Sequence, residues 1–120
     1  MYGHPKYGHR AAKRNERMTD RNMLPQRRPS ETFAIRHGGH NAPFYVTVGY
    51  YPDGRIGEVF VAGGKAGSEV EAIARDSAVL LSIAMQFGVP LETIRHAITR
   101  EQNGAPSSII GAVVERLVQS

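Results

Sequence analysis

The stretch FYVTVGYYPDGRIGEVFVAGGKAGSEVE, residues 44–71, decides how this chain folds. Its first seven residues alternate, with Phe44, Val46, Val48 and Tyr50 on one side and Tyr45, Thr47 and Gly49 on the other, joined there by Tyr51. A period of two is the signature of a strand with one face buried. Tyr51-Pro52-Asp53-Gly54 then turns the chain: proline pre-sets φ, Asp53 caps its own backbone, and Gly54 takes a left-handed conformation. The chain returns as a second alternating run, Ile56–Ala62, with Val59 and Val61 on one face. The passage therefore predicts an antiparallel hairpin closed at Pro52–Gly54.

The same stretch predicts a helix after the hairpin. Ser68 with Glu71 three residues on forms a capping box, which opens that helix. Gly88 ends it and Pro90 opens another. On a helical wheel Glu71, Arg75, Ser82 and Gln86 share a narrow polar stripe, and nearly everything else is apolar. An arc that wide predicts burial on more than one side, with the sheet on one flank and the later helices on the other. Asp76 falls inside the apolar arc, so it is a candidate buried charge needing a partner such as Arg36, Arg95 or Arg100. A short helix over Leu91–Thr99 turns Leu91, Ile94 and Ile98 inward. A last one, started by Pro106-Ser107-Ser108, carries Ile110, Val113, Val114 and Leu117 on one face.

Upstream, Glu31–His37 alternates with Phe33 and Ile35 on one face, giving a third strand. Three strands followed by three helices predict an α+β fold, a three-stranded antiparallel sheet with helices packed on one face. Residues 29–120 form this domain. Residues 1–28 lack apolar periodicity and hold eight basic side chains against two acids, whereas the remainder holds seven against nine. Such a leader cannot bury enough apolar surface to offset its ordering entropy, and it is expected to be disordered. Lys13, Arg14, Arg17, Arg21, Arg27 and Arg28 make it a candidate polyanion-binding arm.

Composition narrows the chemistry. The chain has 120 residues and no cysteine, which excludes disulfides, thiolate metal sites, thiol nucleophiles and thiyl radicals within it. That agrees with a cytoplasmic setting. No apolar run approaches the roughly 20 residues of a membrane span, and the first residues have no hydrophobic stretch of a secretory signal behind them. His37-Gly38-Gly39-His40 offers two imidazoles, too few for a metal site without further ligands. Neither a metal nor a cofactor is expected. Ser107, Ser108 and His96 are explained by helix capping more simply than by hydrolysis.

Residues 62–71, AGGKAGSEVE, invite comparison with a phosphate-binding loop. That motif requires glycine four residues before a Gly-Lys-Ser/Thr triplet. Here Gly64-Lys65 is followed by Ala66, and the position of the first glycine is Val59, so both ends fail. A weaker possibility survives. Gly64, Lys65, Gly67 and Ser68 lead into a helix N-terminus, where free N–H groups and the macrodipole favour an anion such as a phosphate or nucleotide. A tight crossover from strand to helix is the alternative.

FYVTVGYYPDGRIGEVFVAGGKAG (residues 44–67), LLSIAMQFGVPLETI (80–94) and APSSIIGAVVERL (105–117) together resemble the TSCPD domain. That domain occurs at the C-terminus of adenosylcobalamin-dependent ribonucleotide reductases and as small stand-alone proteins. The resemblance runs from about Arg28 to Leu117. It implies the α+β fold and a link to nucleotide metabolism and DNA synthesis. Where the family's namesake segment has Cys before Pro, this chain has Ala105-Pro106, and Ser107 stands in place of Asp. After the Gly-Lys-Ala-Gly turn, where family members often carry Cys, it has Ser68-Glu69. Any thiol or zinc role of those cysteines is lost, and the radical chemistry of a reductase has no thiol here to use.

The expectation is therefore a non-catalytic binding or accessory domain, with homo-oligomers possible. The alternative is a nucleic-acid-binding protein that combines the basic arm with aromatic residues on the sheet, Tyr45 and Tyr51 or Tyr50 and Phe60 according to register.

Overall fold

In the computed structural model, residues 20–39 and 42–119 are described. Three strands, β1 (Ser30–Ile35), β2 (Phe44–Tyr50) and β3 (Ile56–Gly63), precede three helices, α1 (Glu69–Gln86), α2 (Leu91–Ala97) and α3 (Ile109–Gln119). The sheet is antiparallel throughout, in the order β1-β2-β3. The expected α+β arrangement is what the chain adopts.

The hairpin closes as its residue types require. Gly54 donates to the Tyr51 carbonyl at 2.9 Å and has a φ of 93°, while the Asp53 carboxylate accepts from the Arg55 N–H at 3.0 Å. Register pairs Val46 with Val61 and Val48 with Val59, so the valines share one face. An irregularity at Gly49/Tyr50 rotates the end of β2 out of strict alternation. The strand-to-helix turn at Gly63-Gly64 is equally constrained. Both glycines have positive φ, and a Cβ on Gly64 would stand 2.8 Å from the Phe44 ring.

The core lies between the inner sheet face and two helices. Phe44, Val46, Val48, Val59 and Val61 meet Ala74, Ala78, Leu81 and Met85 of α1 and Ile109, Val113, Val114 and Leu117 of α3. Each fully buried side chain of this size contributes roughly 1.5–3 kcal/mol. The capping box forms: Ser68 Oγ accepts from the Glu71 N–H at 3.1 Å, and Glu71 reaches back to the Gly67 N–H at 2.9 Å.

Two expectations about α1 fail. Its polar residues Ser82 and Gln86 are buried, while Ile73, Leu80 and Phe87 are 56%, 69% and 43% exposed. The later helices do not cover the far flank, because α3 lies on the same side of the sheet as α1. Asp76 is exposed too, so it is not a buried charge. Its position among apolar neighbours on the wheel places it on the uncovered flank, where it keeps its water and needs no partner.

Candidate functional site

Ser82 and Gln86 explain the polarity of α1. β3 is an edge strand, and its outward backbone groups need partners if they are buried. Ser82 Oγ accepts from the Val59 N–H at 2.8 Å, and its single proton is shared between the Ala78 carbonyl at 2.8 Å and the Val59 carbonyl at 3.0 Å. One turn on, Gln86 Nε2 donates to the Gly57 carbonyl at 2.9 Å. Residues at i and i+4 on a helix match residues at j and j−2 along a strand running beside it. The spacing of these two side chains is thus the spacing of the free edge groups.

Gln86 also anchors the chain that precedes the sheet. Its Oε1 accepts from Arg21 Nε at 2.6 Å, and its carbonyl accepts from the Asn22 N–H at 2.8 Å. The Tyr51 hydroxyl donates to the Asn22 carbonyl. Leu24 packs so closely on Gly57 that a Cβ there would sit 2.9 Å from it. Further on, Arg28 forms a two-pronged pair with Glu58, Nε to Oε2 and Nη2 to Oε1, and its Nη1 donates to the Pro25 carbonyl at 2.7 Å. The hydrogen bond to Glu58 raises the Arg28 pKa, and the attraction of that carboxylate adds to the effect. Gly49 lies opposite Glu58, and any side chain on it would overlap the carboxylate. Residues 21–28 thus form a strap fastened to the domain. The remainder of the basic leader, with Lys13, Arg14 and Arg17, lies outside the described residues. Of the three basic candidates inside them, Arg21 and Arg28 are engaged in these contacts and Arg27 is exposed.

The outer sheet face carries the rows Thr32–Thr47–Phe60 and Ala34–Tyr45–Ala62. Thr32 and Thr47 share a hydroxyl hydrogen bond at 3.0 Å. Tyr45 and Phe60 are 53% and 51% exposed and sit diagonally to one another, a pairing that neither expected register contained. Tyr51 is buried under the strap, and the Tyr50 hydroxyl donates to Glu31, which raises its pKa. Beside Phe60 an open cleft of about 440 Å³ is lined by Gln26, Arg27, Arg28, Ser30, Thr47 and Glu58. A second cleft of about 360 Å³ lies at the end of α1, between Arg55, Ile56, Met85 and the Gly88–Leu91 link.

The glycine turn is occupied by its own contacts. The Gly64 N–H donates to the Pro43 carbonyl at 3.0 Å, the Gly67 N–H to Glu71, and the Ser68 N–H to the Lys65 carbonyl at 3.2 Å. Lys65 is exposed. Glu69 and Glu71 stand in the first helical turn, where they already satisfy the macrodipole. Elsewhere, His37 contacts the Ser107 carbonyl at 3.2 Å, and its expected companion His40 lies outside the described residues. Ser107 Oγ donates to Glu101, and Ser108 Oγ accepts from the Gly111 N–H at 3.0 Å, which caps α3. Among the described residues no three His, Cys, Asp or Glu side chains come together to hold a metal, and no helix is long and apolar enough to cross a membrane.

Glu58 and Gln86 were not singled out in the sequence. The signal for Glu58 was present: in the hairpin register it faces glycine, the residue that leaves room for a long carboxylate to lie across the sheet. Gln86 showed only as one of four polar residues on a wheel, with nothing to say which way they point.

Comparison with known proteins bears on this geometry. The TSCPD domain family matches residues 12–120. A vitamin B12-dependent ribonucleotide reductase from Rhodopirellula baltica is 47% identical over 74 residues, which are 62% of this chain and 7% of that enzyme. The vitamin B12-dependent ribonucleotide reductase of Agrobacterium fabrum is 39% identical over 80 residues, 67% of this chain and 6% of the enzyme. That of Streptomyces coelicolor is 40% identical over 73 residues, 61% of this chain and 7% of the enzyme. The chain thus spans a small fraction of the length of the curated relatives it matches. No solved structure matches it.

Proposed function

The chain belongs to the TSCPD domain family, and on that premise we propose that it is a non-catalytic accessory domain that acts by binding in ribonucleotide-reductase-linked nucleotide metabolism in the cytoplasm. The observation that carries this reading is the reach of the similarity. The match covers most of this chain but only 6% or 7% of each reductase, so what is shared is one appended unit. The polar side chains of the fold agree with it. Ser82, Gln86, Glu58 and Arg28 are committed to holding strands, helix and strap together. The test is co-purification with the reductase of the same cell, using the full chain with an affinity tag. Recovery of the reductase, lost with substitutions on one exposed face, supports the reading. A chain that leaves the reductase behind at every concentration, and does not alter its activity or its response to nucleotides, refutes it.

A second reading rests on the outer sheet face. Tyr45 and Phe60 are exposed aromatics beside a cleft that includes Arg27, and bases stack on aromatic side chains at roughly 1–3 kcal/mol each. Under this reading the basic leader supplies affinity for nucleic acid. Binding should then weaken steeply with salt, and removing residues 1–19 should flatten that dependence. Binding that ignores salt, or no binding to single-stranded oligonucleotides at low salt, removes it.

A further inference from the structure

The flank of α1 that is left uncovered among the described residues is patterned. Val70, Ile73, Ser77, Leu80, Ala84 and Phe87 succeed one another at steps of three, four, three, four and three residues. That is the spacing of a seam between two helices. The four large members are exposed, Val70 at 41% and Leu80 at 69%, while Ser77 and Ala84 are half-buried between them. A helix face meant for water does not repeat in this way, and a face meant for this protein's own core would be covered.

We propose that this stripe is the interface of a homodimer, with α1 of one copy lying antiparallel on α1 of a second. Three observations favour a second copy as the occupant. The first is self-complementarity. A twofold axis midway between Ser77 and Leu80 sets Ser77 against Leu80, Ile73 against Ala84 and Val70 against Phe87. Each contact is then made twice, i on j and j on i, as an isologous interface requires, and both small residues face large ones. A parallel pair would instead set each residue against itself, Ser77 on Ser77 and Phe87 on Phe87, with voids and crowding alternating along the seam.

Size is the second. Weighted by their exposure, the apolar residues of this flank leave roughly 500 Å² open, within the 300–600 Å² of a monomer's largest patch and often functional. With a polar rim it approaches the roughly 800 Å² per partner of a stable interface. The third is charge. The six seam positions carry none, while Asp76 lies beside the seam and stays wet at its rim. Charge is depleted at interface centres and tolerated at their edges.

Sedimentation equilibrium of the full chain tests this between about 1 and 100 µM, where an interface of modest size dissociates measurably. A monomer–dimer equilibrium is expected in that range. Leu80→Glu should weaken it at least about tenfold with an unchanged circular dichroism spectrum and, at concentrations where both proteins are monomeric, an unchanged melting temperature, because Leu80 contributes little to the monomer's core. Phe60→Glu, on the sheet face, should leave it intact. The absence of cysteine in the chain makes orientation readable. Val70→Cys mixed with Phe87→Cys should give an oxidised cross-linked pair, and neither should cross-link efficiently to itself. A monomer at every concentration overturns the proposal, as does a dimer that survives Leu80→Glu or dissolves with Phe60→Glu. Val70→Cys cross-linking to itself overturns the antiparallel pairing. A monomer that forms complexes only with a different protein assigns the stripe to that protein instead.

Discussion

The two flanks of α1 invert the ordinary rule for an amphipathic helix. On one, a serine and a glutamine are buried at 7% and 5% exposure. On the other, an isoleucine, a leucine and a phenylalanine face outward. Hydrophobicity does not decide this orientation alone. The buried flank is built from Ala74, Ala78, Leu81 and Met85, whose small members let the helix axis approach the sheet, with Ser82 and Gln86 one step round the wheel. Those two supply what an edge strand lacks, an acceptor for its outward N–H and donors for its outward carbonyls. A leucine in either place would bury more apolar surface and leave Val59 or Gly57 without a partner, at about 1–3 kcal/mol for each orphaned group. Polar residues inside and apolar residues outside are thus one decision, made by the strand that the helix covers.

The sharpest test sets neighbours against each other. Leu81 belongs to the core and Leu80 to the open flank. Leu81→Ala should destabilise the fold by about 2–5 kcal/mol, whereas Leu80→Ala should stay within about 0.5 kcal/mol in urea unfolding on dilute protein. Equal losses would mean that both flanks are buried after all. The polar flank comes next. Ser82→Ala removes a hydroxyl that accepts from the N–H of Val59, a residue with no exposure, and shares its proton between the Val59 and Ala78 carbonyls. About 1–3 kcal/mol should be lost, and hydrogen exchange at the Val59 amide should accelerate more than at Val48. A neutral outcome would show that the edge of β3 is satisfied by something other than the helix.

Residues from the hairpin onward spoke clearly, and the reason is local. A period of two, Pro-Asp-Gly at a turn and Ser with Glu three residues on each act over a few residues, so no distant partner is needed to read them. The valine rows, the Ser68–Glu71 cap and the fold class all follow. The orientation of α1 depended on non-local partners. With apolar residues almost all round, its wheel has no single greasy face, and the choice is made by β3, whose free edge groups at Val59 and Gly57 lie more than 20 residues away. Asp76 was misread for the same reason. The strap was hidden by composition. Arg21 and Arg28 look like part of a solvated basic run, and only Gln86 and Glu58, more than 25 residues away in each case, turn them into fasteners. The phosphate-binding prospects of Gly64, Lys65, Gly67 and Ser68 were limited from the start by Glu69 and Glu71, and the turn's own hydrogen bonds add to that limit.

Because the strap rests on the polar flank, it offers a gentler test. Gln86→Leu keeps the volume but loses the side-chain bonds to Arg21 and Gly57. Limited trypsin digestion should then cut after exposed Arg27 several-fold faster, with circular dichroism nearly unchanged. Arg28→Gln should do the same through Glu58, since the two-pronged pair becomes at best a single neutral contact. An unchanged cleavage rate in both would detach the strap from the flank and make its contacts incidental.

The smallest expected effect separates charge from the uncharged polar flank. Ser82 and Gln86 do not titrate, so their hold on β3 should be indifferent to acid. The junction of α2 and α3 is different. Glu115 of α3 accepts from Arg100 Nη2 at 2.7 Å and from Arg95 Nε at 3.2 Å, and Arg95 also meets Glu92 at 2.8 Å. The hydrogen bond from Arg100 holds the Glu115 carboxyl below the usual glutamate range, opposed by partial burial and reinforced by Arg95. A carboxyl whose pKa is lower in the folded state than in the unfolded chain binds fewer protons when folded. Its contribution is therefore complete above the ordinary glutamate range and is lost as pH falls through the depressed value. Glu115→Gln should remove that part of the acid sensitivity. The difference in unfolding free energy between wild type and variant should shrink as pH falls through this window, while Ser82→Ala should show a constant offset across it. If Ser82→Ala also lost its offset in acid, the hold on the edge of β3 would depend on a titrating group, and the contrast between an uncharged flank and a charged junction would fail.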